Sequence, residues 1–445
     1  MNRFKFLLML FFSMSIAITG CSGNSKKSNI NTPNVSARET VVSINKTPGI
    51  EKKINKEKRS ERSSVHHKRS TTDSVVNVTS FGAVGDGVTD NTDAFKKFFA
   101  ALNGKIGFIP SGVFKTGILK VGNLSNCELR GNGKNSIILT DQDYGLLNLS
   151  DVNNVTFTGL SFKNKFVNNQ LEYSKALISC FQHNMQGLKI TNCYFTMPGC
   201  NATAISFLVR WTTKNSNGNG GSLKNISIEN CVFNDIGQSA IAIGNRDMST
   251  EKFNYAQNIH INNNSFKRLG LCRSYGFAVT FDGVGNNVSF NYNNLQDLYG
   301  IGIENTGFND ASFIGNSFSG FQAGRQWFPM SFSTRQMKHN VIQGNICKEP
   351  SNGGINFNGV DSSVFKDNVF ITSGENWINL KDSNDNNLEN NSFTTSGKHT
   401  VLIESTNLKT ATRNNFKNCK FINRINAGKQ IDFVGNGSNN NKILR

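Results

Sequence analysis

The sequence predicts an all-β fold, a right-handed single-stranded parallel β-helix with an N-terminal capping helix. Three observations carry that expectation: a composition suited to turns, an apolar anchor recurring every 23 to 38 residues, and a small polar residue two places before most anchors. The chain has 445 residues, with 41 Gly, 6 Pro and 35 Phe, and only 18% of it is charged. Asn and Gly are poor helix formers and good turn formers, which disfavours a helical protein. So few prolines exclude collagen and proline-rich disorder, and the aromatic content supplies the bulk of a packed interior.

In chain order, residues 1–20 read as an export signal. Met1 to Lys5 carries Arg3 and Lys5, Phe6 to Ile18 is an apolar run too short to span a bilayer, and Ile18-Thr19-Gly20-Cys21 resembles a bacterial lipobox. The expected product is exported, lipidated on Cys21 and anchored in a membrane at the outer membrane or cell surface. Several acyl chains on one residue anchor stably where one would not. Residues 21–73 lack apolar periodicity, and from Ser22 to Asp73 they hold 12 Lys+Arg against 5 Asp+Glu. They read as a flexible tether whose basic run, Lys52 to Arg69, suits anionic headgroups or wall polymer. Nucleic acid is not an expected partner of an exported lipoprotein. With +2 in the signal and +7 in the tether, +9 of the net +18 is left for residues 74–445, a mild bias toward acidic partners.

The β-helix domain, residues 74–445, opens with Phe81 to Phe95, which reads as a strand, a glycine turn and a capped helix. Phe95, Phe98, Phe99 and Leu102 fall on one face of that helix, which suits it to close the end of a coil stack. A turn and a helix N-terminus account for Asp86, Asp90 and Asp93. The anchors follow at Phe162, Phe195, Phe233, Phe266, Leu295, Phe318, Cys347, Phe370, Phe393 and Phe421. Five places before each anchor from the second onward runs an apolar column from Ile190 to Phe416, and the next position is mostly polar, the alternation of a strand with one buried face. Two places before the anchor stand Cys193, Cys231, Asn264, Asn293, Asn316, Asn345, Asn368, Asn391 and Cys419. Stacked at the spacing of parallel strands, about 4.8 Å, identical buried amides satisfy one another down the column. The nine cysteines are expected to be mostly free, buried thiols. A second alternating strand follows each turn, as in Ala240–Ile243, Ala278–Phe281, Gly300–Ile303 and Pro329–Phe332, so the chain winds, and crossover chirality makes the winding right-handed.

Phe81-Gly82-Ala83-Val84-Gly85-Asp86-Gly87-Val88-Thr89-Asp90-Asn91-Thr92-Asp93-Ala94-Phe95, followed by Gly107-Phe108-Ile109-Pro110-Ser111-Gly112-Val113-Phe114, resembles the opening of the pectate-lyase-like superfamily, which includes rhamnogalacturonases, epimerases and phage tailspike depolymerases. The resemblance implies a pectin-lyase-like β-helix and work on polysaccharides. It assigns no catalytic residue, because the Asp-Asp, Gly-His-Gly and Arg-Ile-Lys motifs of the polygalacturonase-type hydrolases and the Asp-Pro-His-Glu of alginate epimerases do not occur in this chain.

A site therefore has to come from the outward face. After each second strand one column reads Gly244, Asp282, Glu304, Ser333, Asn358, Lys381 and Glu404, which places Asp282 and Glu304 side by side on consecutive coils. Two carboxyls that close divide into proton donor and base or nucleophile, the division glycoside cleavage needs. Arg246, Arg335 and Lys381 could hold uronate or sulfate groups, Lys381 or an Arg could serve as base in an elimination, and Trp327 and Trp377 offer faces to sugar rings. The expected function is cleavage of an acidic extracellular polysaccharide by hydrolysis or elimination; the alternative is a non-catalytic glycan-binding or scaffolding lipoprotein. No cofactor is expected: no cluster has zinc or iron spacing, and the acidic residues are too dispersed to place calcium. A monomer is expected, with a trimer as the alternative for a depolymerase of phage origin.

Overall fold

The computed structural model describes residues 74–445, apart from 144, 167–174, 201, 209–220, 245–255, 272–275, 321–328, 334, 348–354, 372–377, 396–400, 406–409, 424–430, 435–439 and 445. The expected signal, Cys21 and the tether lie outside the described residues. From residue 74 onward the strands fall in threes, such as Val152–Thr158, Ser161–Asn164 and Lys175–Phe181. Successive members of each triplet join different sheets, so the described strands build three long parallel sheets of 15, 13 and 12 members. Each coil thus lays one strand on each of three faces, and the fold is the predicted right-handed parallel β-helix.

The predicted columns superpose. Phe162 pairs with Phe195, Phe195 with Phe233, Phe233 with Phe266, and the series continues without slippage through Leu295, Phe318, Cys347, Phe370 and Phe393 to Phe421. The rings stack where Phe follows Phe: Phe195 and Phe233 have centroids 4.7 Å apart at 7°, and Phe233 and Phe266 are 4.9 Å apart at 8°. Ile190, Ile228, Ile261 and Phe290 pile up in the same way on the first sheet. These side chains are buried except Phe421, which is partly buried, and alternation sends their neighbours outward.

Between the first and second sheets the chain bends through one residue with positive φ, followed by one small inward residue. Asn192, Asn230, Asn263, Asn390 and Asn418 take φ between 51° and 58°, and Gly315 and Gly344 fill the same place at 65° and 62°. Asn tolerates this left-handed region because its short amide bonds locally. The inward residue after each bend is the ladder. Asn264 Nδ2 donates to Asn293 Oδ1 at 3.1 Å, and the chain of bonds runs through Asn316, Asn345 and Asn368 to Asn391 at 2.8–3.2 Å. The second amide hydrogen goes to a backbone carbonyl of the preceding coil, as from Asn345 to Phe313 O at 2.8 Å. Each Oδ1 also receives the backbone N–H of the rung before, as Asn345 Oδ1 does from Asn316 at 2.9 Å.

Cysteine closes the ladder at both ends because its thiol reaches the equivalent carbonyl. Cys231 Sγ donates toward Ile190 O at 3.7 Å and Cys419 Sγ toward Leu388 O at 3.3 Å. Burial keeps these thiols protonated, pushing Cys231 and Cys347 well up and Cys180 up to about 12. Six described cysteines are free, as expected for most of them, whereas Cys200 is disulfide-bonded.

The helix Thr92–Ala100 packs Phe95, Phe98 and Phe99 inward. Phe98 lies over Gly107, where an added Cβ would come 2.6 Å from its ring, so the helix fills the inside of the first coil. Asn91, buried before the helix, ties Val84, Thr89 and Lys115 together through its amide. Asp86 and Asp90 take local turn bonds from Thr89 and Thr92, as their sequence context predicts.

Candidate functional site

Glycine starts two adjacent strands of the third sheet, Gly276–Asp282 and Gly300–Asn305, and Gly276 pairs with Gly300. That register puts Thr280 opposite Glu304 and Phe281 opposite Asn305. Asp282 is in register with Gly244 on the coil before, as predicted, but its neighbour on the coil after is Thr306. The expected column is therefore corrected by two residues: Asp282 and Glu304 do lie on consecutive coils, yet diagonally, which sets their backbones about 8 Å rather than 5 Å apart.

The reason for the shift is Asn305. It occupies the inward position between Phe281 and Phe332, fully buried, where a reading by hydrophobicity expects an apolar residue. Its Oδ1 accepts the N–H groups of Gly307 and Phe308 at 3.2 and 2.8 Å, and its Nδ2 donates to Phe308 O at 3.0 Å. A side chain that satisfies its own turn in this way is tolerated inside the core.

The result is a square of two acids and two threonines. Thr280 Oγ1 donates to Glu304 Oε2 at 2.9 Å, and Thr306 Oγ1 donates to Asp282 Oδ1 at 3.0 Å while accepting the Gly283 N–H at 2.9 Å. Both carboxyls are half-buried, and each is steadied by a hydroxyl from the other's coil. Thr280 and Thr306 were missed by sequence reasoning. Aligning the strands on their leading glycines, instead of on the last apolar residue, finds both.

Of the predicted binding residues, Arg335 lies close to this square. Its side chain runs over Gly307, next to Thr306, where an added Cβ would meet Arg335 Cδ at 2.9 Å. Lys381 does not belong to it. It is in register with Asn358 and Glu404, four strands along the sheet from Asp282, or roughly 19 Å at the inter-strand spacing. Its Nζ is 3.4 Å from Glu404 Oε1, so a carboxylate already meets its charge. Arg246, Trp327, Trp377 and the lipidation candidate Cys21 lie outside the described residues. Among the described residues no group of three or more His, Cys, Asp or Glu is placed to hold a metal ion.

The sequence model of the family described as rhamnogalacturonase A/epimerase, pectate lyase-like, matches residues 75–304. No curated protein matches the chain. Among solved structures, the chain is similar to a mutant DFA-IIIase from Arthrobacter chlorophenolicus A6 in complex with DFA-III, with 12% identity and a TM-score of 0.56, covering 80% of this chain and 98% of that one. It is also similar to gene product 12 of bacteriophage phi29 in its pre-mature form, with 18% identity and a TM-score of 0.53 over 81% of this chain. The match spans only 56% of that phage protein. Likeness at this level of identity concerns the fold.

Proposed function

Since the chain belongs to the rhamnogalacturonase A/epimerase, pectate lyase-like family, we propose that it acts on an extracellular polysaccharide and cleaves it by hydrolysis, with Asp282 and Glu304 as the working pair. The observation that carries the reading is the square Thr280, Asp282, Glu304 and Thr306 on the outward face of the third sheet. Two acids on diagonal positions of adjacent coils can divide into proton donor and base with a water between them, the arrangement of hydrolysis with inversion. Lys381 is remote and paired with Glu404, so an elimination here would have to draw its base from Arg335 beside the square. A guanidinium suits a uronate or sulfate, so Arg335 beside the square supports a substrate that is acidic near the point of cleavage.

Wild-type protein incubated with polygalacturonate, alginate and capsular polysaccharide is expected to release reducing ends from one of them, with no unsaturated product. Asp282→Asn and Glu304→Gln are each expected to lower that rate at least a hundredfold while leaving the thermal melt unchanged. Full activity in both variants rejects the pair. Proton NMR of the first product reports the anomer, and retention of configuration would contradict a water placed between the two acids.

A second reading, glycan binding without turnover, is favoured by one feature: a threonine that steadies a carboxyl across two coils is also a structural cross-strand pair. Polymer binding with neither new ends nor unsaturation supports that reading. Export and lipidation on Cys21 complete the proposal, with a monomer facing the outside of the cell and a tether of residues 21–73. A disulfide at Cys200 fits an oxidising compartment. Cys21→Ser is expected to release the protein from membranes, and light scattering distinguishes a monomer from a trimer.

A further inference from the structure

The bends between the first and second sheets repeat one backbone conformation with one kind of residue, and a single coil breaks the pattern. From Asn192 to Asn418, nine bends place a residue at positive φ. Five are Asn, two are Gly, and Asp367 is the eighth. The ninth is Tyr292, at φ 57°. A β-carbon in this region crowds the following carbonyl, and a tyrosine has no short amide with which to bond locally in return. Burial does not reward it either, since Tyr292 is 61% exposed. Strain kept at a solvent-facing aromatic points to a use outside the fold.

The coils that follow make way for the ring. An added Cβ on Gly315, the next bend, would come 2.6 and 2.8 Å from Tyr292 Cδ1 and Cε1, so the ring leans over bare backbone there. At Gly344, one bend further, an added Cβ would meet nothing within 4 Å. Asn291, Ile314 and Gln343 stand on one side of this strip and Asn294, Ser317 and Ile346 on the other, in register from coil to coil. None of the six is charged, and the three bends consist of described residues throughout. Ile346 is 42% exposed, which adds an apolar edge beyond the ring.

We infer that Tyr292, with the strip of Gly315 and Gly344 behind it, is a second binding site for polysaccharide, taking an uncharged pyranose unit with its C–H face on the phenol ring. The inference rests on reading the chain as one that handles polysaccharide, and it adds a contact at a corner away from the third sheet, which carries Asp282 and Glu304. A pyranose presents slightly positive C–H groups on its face, which meet the negative face of an aromatic ring. The hydroxyls around its rim suit the amides of Asn294 and Gln343 at the sides of the strip. A uronate or sulfate gains nothing more here, because Lys366, on the coil after Gly344, is directed to Glu389 at 3.9 Å. A strip one residue wide also suits a sugar chain better than a second copy of this rod, whose stable contact would need about 800 Å² on each partner.

The full-length protein carrying Glu304→Gln is run by affinity electrophoresis in gels containing β-glucan, galactan or mannan, and in parallel in polygalacturonate and alginate. At least one neutral polymer is expected to retard it. Tyr292→Asn, which restores the residue most of the other bends use, is expected to weaken that retardation by about tenfold or more while the thermal melt stays level or rises. Tyr292→Phe is expected to keep the retardation. Retardation by the uronate polymers alone, by no polymer, or equally with and without the ring overturns the inference. So does a fall in oligomeric state on Tyr292→Asn, read by light scattering, with retardation unchanged, which makes the strip a contact between copies. The wild-type cleavage assay stands apart from this one. Retardation that depends on Tyr292 without any cleavage removes the catalytic reading and keeps this site, and cleavage with retardation indifferent to Tyr292 does the reverse.

Discussion

A single rung of the ladder shows how tightly individual side chains are specified. Asn345 gives both amide hydrogens away and receives the backbone N–H and the amide of Asn316 on its oxygen. Asn345→Ala removes all four bonds and leaves Phe313 O and the Asn316 donors buried without partners, so a loss of about 3 kcal/mol or more is expected in denaturant unfolding. Cys231→Asn extends the ladder by one rung and is expected to be neutral or stabilising in the same measurement. On the surface, Thr89 Oγ1, with the N–H groups of Val88 and Thr89, holds Asp86 down from 3.8 to about 2. A carboxyl with a lower pKa folded than unfolded takes up its proton more readily when unfolded, so its contribution is full above 3.8 and is lost as the pH falls toward 2. Thr89→Val is expected to return the Asp86 titration toward the ordinary range, as followed by NMR, and to flatten the acid side of the stability curve.

At the level of strands and turns, one residue decides what the flank presents. Asn305 holds Gly307 and Phe308 in a turn that delivers Thr306 to Asp282. Asn305→Leu suits the apolar column but strands two N–H groups, so the melt is expected to fall by the equivalent of about 1–3 kcal/mol and cleavage to drop as well, though neither acid has been touched. The sequence made the ladder and the Phe column legible because both repeat in fixed step with each other, and an error in one would have broken the other. The third sheet offered no such cross-check. A buried Asn there looks outward by its polarity, and reading it so moved Glu304 by two positions. A second ladder was missed for a similar reason. Asn386 donates to Asn414 Oδ1 at 2.9 Å and Asn414 to Asn441 Oδ1 at 2.9 Å, at the corner leading back to the first sheet. The same column holds Val155, Leu188, Ile226 and Ile259 in earlier coils, so no single residue type marks it along the chain.

Over the whole domain, the interior is one continuous apolar column, closed at its first coil by the helix Thr92–Ala100. Phe98 sits fully buried against Phe81 and Phe95. Phe98→Asp places a charge there with no partner, and it is expected to open that end, lowering the melt and exposing strand edges to other molecules. Light scattering during a mild thermal ramp would register the aggregation. The closed coil is also the one that leaves the ribosome first. Every later winding therefore meets a finished edge on which to lay itself down, and assembly can proceed like a zip from a fixed stop, without waiting for the whole chain. A nascent chain arrested after Asn391 is expected to resist protease already over its early windings. A fragment of equal length lacking residues 74–131 is expected to be digested throughout.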